Sequence, residues 1–178
     1  PNELVKAEMV EHHDIQEKDI FVGGIPQYDR YFSFKPIARE PFFQKLGIDP
    51  KKRLIVYAPV GGMFGNSDWK MIDILYRLNR EGKFGQDAEI FVRFPPNDFF
   101  DEAELKRRPY LRYVYPGIRF SKKRGIDWDM SEAELEELTQ TLYHLNLVIG
   151  YASSIGIDAV VFDKPVIVIN FEVHKAPM

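Results

Sequence analysis

Several features that restrict a protein's class are absent from this sequence. It contains no cysteine, so disulfides and Cys-ligated zinc are excluded. Apolar runs such as those at 159–162 and 166–169 fall far short of the roughly 20 residues that a membrane-spanning helix needs. No signal-peptide pattern is present. We therefore predict a cytoplasmic protein, for which peripheral association with a membrane stays open.

An excess of positive charge is also missing. Lysine and arginine number 24 against 27 acidic residues, which gives a formal net charge of −3. Such a chain has no global basic field to hold a phosphate backbone, so nucleic acid is not an expected partner. Its four histidines are scattered and lack the helical spacing of a metal site, and no G-x-S-x-G nucleophile motif occurs. We expect no metal and no cofactor.

What the sequence does contain is an alternation of strand and helix patterns sized for one domain. Short apolar runs bounded by turn residues predict buried strands, and amphipathic segments between them predict helices. The predicted strands are 19–22, 53–58, 88–94, 110–114, 147–150 and 166–170, and the predicted helices are 4–14, 42–46, 68–81, 101–107, 131–144 and 154–162. Ser131 with Glu134 forms a capping-box pattern, and Ser67 and Gly47 are expected caps. The fold class is α/β, a Rossmann-like parallel sheet with helices on both faces.

The loop after the first core strand is rich in glycine. Gly61 and Gly62, with Gly65, leave backbone N–H groups accessible to an anion without side-chain obstruction. The spacing matches neither a Walker A motif nor G-x-G-x-x-G. Contact with a ligand and a simple tight turn are equally good interpretations.

Arg93 stands near the end of the second core strand, before the extended segment "FPPND". A guanidinium in an apolar strand is costly unless it is paired. We favour a phosphate contact for Arg93, and the alternative is an ion pair with a carboxylate at the edge of the core.

The segment "VIGYASSIGIDAVVFDKPVIVINFE" carries the strongest signal. Ala152, Ser153 and Ser154 lie at a strand-to-helix turn, where hydroxyls, free N–H groups and the helix dipole converge and could hold a phosphate. Asp158 follows about one turn later and could accept hydrogen bonds from ribose or sugar hydroxyls. In the plainer alternative a serine only caps the helix and Asp158 only complements its dipole.

The "DWD" sequence at 127–129 superficially matches a metal-binding D-x-D motif. In a polar loop before a helix, a solvated turn is the more common explanation. We do not assign a metal to it.

Together these motifs resemble those of nucleotide-sugar glycosyltransferases of the GT-B fold, whose relatives include CDP-glycerol glycerophosphotransferases and UDP-N-acetylglucosamine 2-epimerases. "YASSIGIDAVVFDKPVIVINF" is similar to their donor-binding segment, "FVRFPPND" to their R-x-H-P segment, and "VGGIPQYDRYF" to the stretch that leads into their C-terminal domain. Two positions depart from the family pattern: Pro95 replaces the usual histidine, and Asp158 stands where many relatives carry glutamate.

The resemblance implies the C-terminal half of a GT-B enzyme. Residues 20–178 would form the nucleotide-donor-binding domain, and residues 1–19 would be a linker or the tail of a missing N-terminal acceptor domain. Ser153 and Ser154 would contact the donor diphosphate, Asp158 would hold ribose hydroxyls, and Gly61 and Gly62 would face the donor across the interdomain cleft.

The implied function is binding of a nucleotide-diphosphate sugar or polyol donor for transfer to an acceptor, in bacterial cell-envelope polysaccharide synthesis. The catalytic residues are not identified, and we expect this chain alone to be inactive. Two alternatives stay open: an epimerase acting on a UDP-sugar, and a non-catalytic domain that senses a nucleotide.

Overall fold

A computed structural model describes residues 2–62, 65, 67–151 and 153–170. The chain forms two compact units, Pro1–Phe34 and Lys35–Met178. The assignment of residues 1–19 to a linker or to the tail of another domain stays a prediction. No helix of the described part of the chain is both long and apolar enough to cross a membrane.

The first unit is built from short helices. Its elements are helix α1 (Glu3–His12), two 3₁₀ turns (Glu17–Asp19 and Pro26–Tyr28) and helix α2 (Asp29–Ser33). The side chain of Asn2 caps α1 by accepting the N–H of Val5 at 2.9 Å. The predicted strand at 19–22 is wrong, because this short segment before Gly23-Gly24 pairs with no other described strand, and a lone strand leaves its backbone groups unpaired.

The described residues of the second unit contain seven strands. They are β1 (Arg53–Ala58), β2 (Ala88–Arg93), β3 (Arg112–Val114), β4 (Ile118–Arg119), β5 (Trp128–Asp129), β6 (Leu147–Gly150) and β7 (Val166–Val168). Five of them form a parallel sheet in the order β3-β2-β1-β6-β7, and β4 pairs with β5 as a small antiparallel hairpin. The predicted α/β class with a parallel sheet is confirmed.

Within the same described part of the unit, five helices connect or flank these strands. They are α3 (Arg39–Lys45), α4 (Asp68–Arg80), α5 (Glu102–Lys106), α6 (Glu132–His144) and α7 (Ser154–Val161). Each predicted helix of this unit is present, with ends shifted by at most three residues. Gly47 lies just beyond α3 with φ +68°, the left-handed conformation expected of a glycine C-cap.

The core lies between the central strands and α4. β1 and β2 are buried along almost their whole length, which explains why their sequences are apolar without polar alternation. The helix presents Met71, Ile72 and Leu75 to this sheet. Each such side chain stabilises the fold by about 1.5–3 kcal/mol relative to exposure.

Helix α6 begins with the predicted capping box. The Ser131 hydroxyl accepts the N–H of Glu134, and the Glu134 carboxylate accepts the N–H of Ser131 at 2.8 Å. By contrast, Ser67 occupies the N-cap position of α4 without capping it, because its hydroxyl lies 2.9 Å from the hydroxyl of Tyr151. The capping prediction for Ser67 is wrong in this respect.

Arg39 connects three segments at the amino edge of the sheet. Its guanidinium donates to the carbonyls of Pro50 at 2.8 Å, Lys52 at 2.6 Å and His144 at 3.2 Å, and lies 3.9 Å from the centre of the Phe43 ring. Two of these carbonyls precede β1 and the third precedes β6. This arginine therefore stabilises the edge of the sheet opposite to the one where parallel-sheet proteins bind ligands.

Candidate functional site

The strand order of the parallel sheet reverses between β1 and β6. From β1 the chain proceeds to β2 and β3 on one side, whereas β6 is followed by β7 on the other. Ligands of such sheets bind beyond the carboxyl ends of the strands at this reversal. The two strand ends approach closely, because a Cβ on Gly150 would lie only 3.0 Å from the carbonyl oxygen of Ala58.

A cavity of about 630 Å³ opens at this edge. Its volume lies within the range of small-molecule sites. The segments after β1, β2, β6 and β7 all contribute to its wall, together with the hairpin and α6. The lining residues are 58–60, 93–97, Trp128, Met130, Leu138, Tyr151, 153–155, Asp158 and Ile169. The cavity thus brings together four residues proposed from the sequence, Arg93, Ser153, Ser154 and Asp158.

Arg93 is the last residue of β2 and contributes a buried positive charge to this cavity. It is paired in register with Val114 of β3 and is only 6% exposed. Arg93 also interacts electrostatically with a carboxylate of the protein, that of Glu134. The pKa of Glu134 is lowered, mainly by the hydrogen bond from the Gly117 N–H and in smaller part by the charge of Arg93. Arg93 therefore has both the cavity and a protein carboxylate in its surroundings.

The serine turn lies at the N-terminus of α7. Ser153 is the N-cap residue, with the extended backbone typical of that position, yet its side chain makes no capping hydrogen bond to the described helix backbone. Ser153 and Ser154 are both exposed at the cavity wall. In the first turn of α7 the Gly156 N–H already donates to the Ser153 carbonyl at 3.0 Å. The N–H groups before it have no i−4 carbonyl within the helix, so they and the two hydroxyls can serve a ligand. Ala152, part of the predicted turn, lies outside the described residues.

Asp158 also faces the cavity, from the second turn of α7. This residue is buried, with only 7% of its surface exposed, and it lines the cavity. A carboxylate in this position combines burial with access to the cavity interior. It is therefore placed to accept hydrogen bonds from the hydroxyl groups of a bound molecule.

Gly61 and Gly62 line a different, neighbouring cavity of about 300 Å³. The Gly61 N–H donates to the carboxylate of Asp68 at 2.8 Å, and the Gly62 N–H donates to the carboxylate of Asp98. An anion could use these N–H groups only by displacing the carboxylates. Contact of the two glycines with a donor stays a prediction, and the structure does not bring them into the larger cavity.

Asp68 is a buried acid that the sequence did not single out. Besides Gly61 it accepts the Tyr57 hydroxyl at 2.9 Å and the Val60 N–H at 3.1 Å. Burial raises the pKa of Asp68, and the hydrogen bonds from Gly61, Tyr57 and Val60 oppose that shift. The carboxylate fixes the glycine-rich loop to β1. The sequence feature that could have identified Asp68 is its position at the start of a helix, directly after a Gly-rich loop.

The "DWD" segment forms the end of the β4–β5 hairpin. Asp127 has φ +54°, and Asp129 accepts the N–H of Met130 at 2.7 Å. Among the described residues, no group of three or more His, Asp or Glu side chains could hold a metal ion. Trp128, between the two acids, lines the larger cavity, which the sequence pattern did not predict.

Comparison with known proteins yields similarity in structure alone. No family model matches the chain, and no curated protein matches it in sequence. The wall teichoic acid polymerase TagF superposes with a TM-score of 0.53 at 16% identity, over 93% of this chain and 36% of TagF. A TagF variant soaked with CDPG gives 0.51 at 15%, over 93% and 35%.

A second neighbour is Staphylococcus aureus MnaA, solved with UDP. It superposes with a TM-score of 0.54 at 12% identity, over 96% of this chain and 41% of MnaA. The chain thus spans little more than a third of the length of these neighbours. At such identities the similarity establishes the fold, a Rossmann-like α/β sheet of GT-B type.

Proposed function

We propose that this chain binds the nucleoside diphosphate of an activated sugar or polyol in the 630 Å³ cavity, as the donor-binding half of a GT-B transferase. One observation carries the proposal. The cavity at the reversal of strand order between β1 and β6 combines a buried guanidinium, the N-terminus of a helix with two exposed hydroxyls, and a buried carboxylate. The guanidinium and the helix N-terminus are suited to bind a diphosphate, and the carboxylate is suited to accept hydrogen bonds from ribose hydroxyls.

Each residue has a distinct role in this proposal. Arg93 and the serine turn bind the diphosphate, and Asp158 accepts hydrogen bonds from ribose hydroxyls. When the donor bond breaks, negative charge grows on the departing diphosphate. A guanidinium and helix N–H groups held in place beforehand stabilise that charge without reorganising. The acceptor and its activating base belong, in this proposal, to a domain outside these 178 residues.

The neighbours support the class of ligand. MnaA was solved with UDP, and TagF was soaked with CDPG. The same edge of the sheet is the general ligand site of open α/β folds. These observations favour a nucleotide over other anions.

Calorimetric titration with UDP, CDP, GDP, ADP and dTDP tests the proposal. We expect at least one to bind, and Arg93→Ala to weaken that binding about tenfold or more, because a hydrogen bond to a charged group contributes about 1.5–3 kcal/mol. Asp158→Asn should weaken binding of the nucleotide but not of inorganic pyrophosphate.

Arg77→Ala provides the matched control. This exposed arginine of α4 forms a 4.0 Å ion pair with Glu81 and does not line the cavity. Its loss should leave every dissociation constant unchanged. Equal affinity in folded Arg93→Ala and in the unmodified protein would refute the assignment of the diphosphate site.

A further inference from the structure

The hairpin of β4 and β5 is held firmly against the rest of its unit. The Phe120 N–H donates to the carbonyl of Asp127 at 2.7 Å, and the Gly125 N–H donates to the carbonyl of Asn97 at 2.8 Å. Arg119 donates to three backbone carbonyls, those of Pro116, Gly117 and Asp98, at 2.7 to 3.0 Å. A side chain on β5 is therefore presented from a fixed backbone.

Trp128 of β5 contributes an accessible aromatic surface to the 630 Å³ cavity. It is 39% exposed and lines the wall together with Met130 and Leu138. Of the other rings at the wall, Phe94 is buried and stacks on Phe100 at 4.1 Å, and Tyr151 is only partly exposed, with its hydroxyl hydrogen-bonded to Ser67. Among the described rings of the wall, the indole has the largest exposed fraction, so it can present a face to a planar ligand.

We infer that Trp128 is the stacking platform for the nucleobase of the bound nucleotide, an inference that rests on the proposed function. The cavity has polar groups suited to a diphosphate and ribose, and its remaining wall around Trp128 is apolar and aromatic. A nucleobase has two π-faces and a polar edge, so it fits such a wall. Asn97, which also lines the cavity, offers an amide donor and acceptor to the base edge.

The two tryptophans of the chain allow a direct optical test. Trp69 packs against Phe94 at 5.7 Å and lies beneath the guanidinium of Arg108, away from the larger cavity. In a Trp69→Phe background, tryptophan emission reports on Trp128 alone. Titration with the tightest-binding nucleoside diphosphate should quench this emission, whereas inorganic pyrophosphate, which has no base, should leave it unchanged.

Calorimetry on Trp128 variants of the otherwise unmodified chain gives a second measurement. Trp128→Ala should weaken nucleotide binding about tenfold, since base stacking contributes about 1–3 kcal/mol by alanine substitution. Pyrophosphate affinity should not change, and Trp128→Phe should retain most of the nucleotide affinity. Phe120→Ala is the control, because Phe120 is an exposed ring of the same hairpin that does not line the cavity.

The outcomes separate the two proposals. If a nucleotide binds and Trp128→Ala leaves its affinity unchanged, or lowers nucleotide and pyrophosphate affinity equally, the stacking role is wrong and the proposed function stands. If no nucleoside diphosphate binds to the unmodified chain, the proposed function fails, and the stacking role fails with it.

Discussion

Replacement of Arg39 by alanine should destabilise the protein without affecting ligand binding. The guanidinium joins α3, the turn before β1 and the last residue of α6 through three carbonyl groups. Alanine removes all three donors and the contact with the Phe43 ring. These groups lie at the amino edge of the sheet, whereas the cavity lies at the carboxyl edge.

The expected loss follows from the contacts. Three hydrogen bonds at about 1 kcal/mol each, and a partly exposed cation–π contact at about 0.5–1 kcal/mol, predict a loss of about 3.5 kcal/mol. That is a large part of the roughly 5–15 kcal/mol that stabilises a typical domain. Arg39→Lys should retain one bond and lose about 2 kcal/mol, because an ammonium cannot span three carbonyls.

Urea unfolding monitored by circular dichroism measures these losses, with Arg77→Ala as a surface control expected to change stability by less than about 0.5 kcal/mol. Nucleotide affinity, measured well below the unfolding midpoint, should equal that of the unmodified chain. A loss of less than about 1 kcal/mol in Arg39→Ala would refute the arrangement of the three carbonyls around one guanidinium.

Three further predictions concern hydrogen bonds and pH. Tyr57→Phe removes a buried donor to Asp68 and should cost about 1.5–3 kcal/mol in urea unfolding; an unchanged midpoint would contradict it. The bidentate hydrogen bonds from Arg108 lower the pKa of Asp73, so this pair's stabilisation is complete above the ordinary carboxyl pKa of 3.8 and declines as pH falls through the depressed value. Asp73→Asn should flatten the stability profile in that acid range, and an unaltered slope would count against the pair. Burial lowers the pKa of His144, so its contribution to folding stability is complete above pH 6.5 and declines as pH falls below that value. In His144→Gln the urea midpoint should no longer show this decline below pH 6.5, and persistence of the full decline would assign it to another group.

The parallel sheet could be predicted from the sequence because its strands are local, apolar and bounded by turns. The runs at 53–58 and 147–150 are confirmed with the bounds expected, and the capping box at Ser131 is confirmed atom by atom. The β4–β5 hairpin was not predicted, because its strands have two residues each and a polar, basic loop separates them. Such strands carry no periodicity to detect.

The candidate site was predictable only in part, for a related reason. Arg93 is the last residue of β2 and the serine turn follows β6, and the strand-end rule for parallel sheets pointed to both. The contributions of Asp68 and Trp128 depend on which loops meet in space. A Gly-rich loop has the same sequence whether its N–H groups are free for an anion or occupied by carboxylates of the same chain, as they are at Gly61.

The position of β1 in the middle of the sheet has a consequence for synthesis on the ribosome. Its first neighbour, β2, follows closely in sequence, but the Leu54 N–H finds its partner on Asn146, 92 residues later. At typical translation rates that interval lasts roughly 5–18 s. During this time an apolar strand with one unpaired edge is exposed to other nascent chains. We therefore expect expression yield to depend on chaperone supply and on translation speed through residues 59–150 more than on the final stability of the domain.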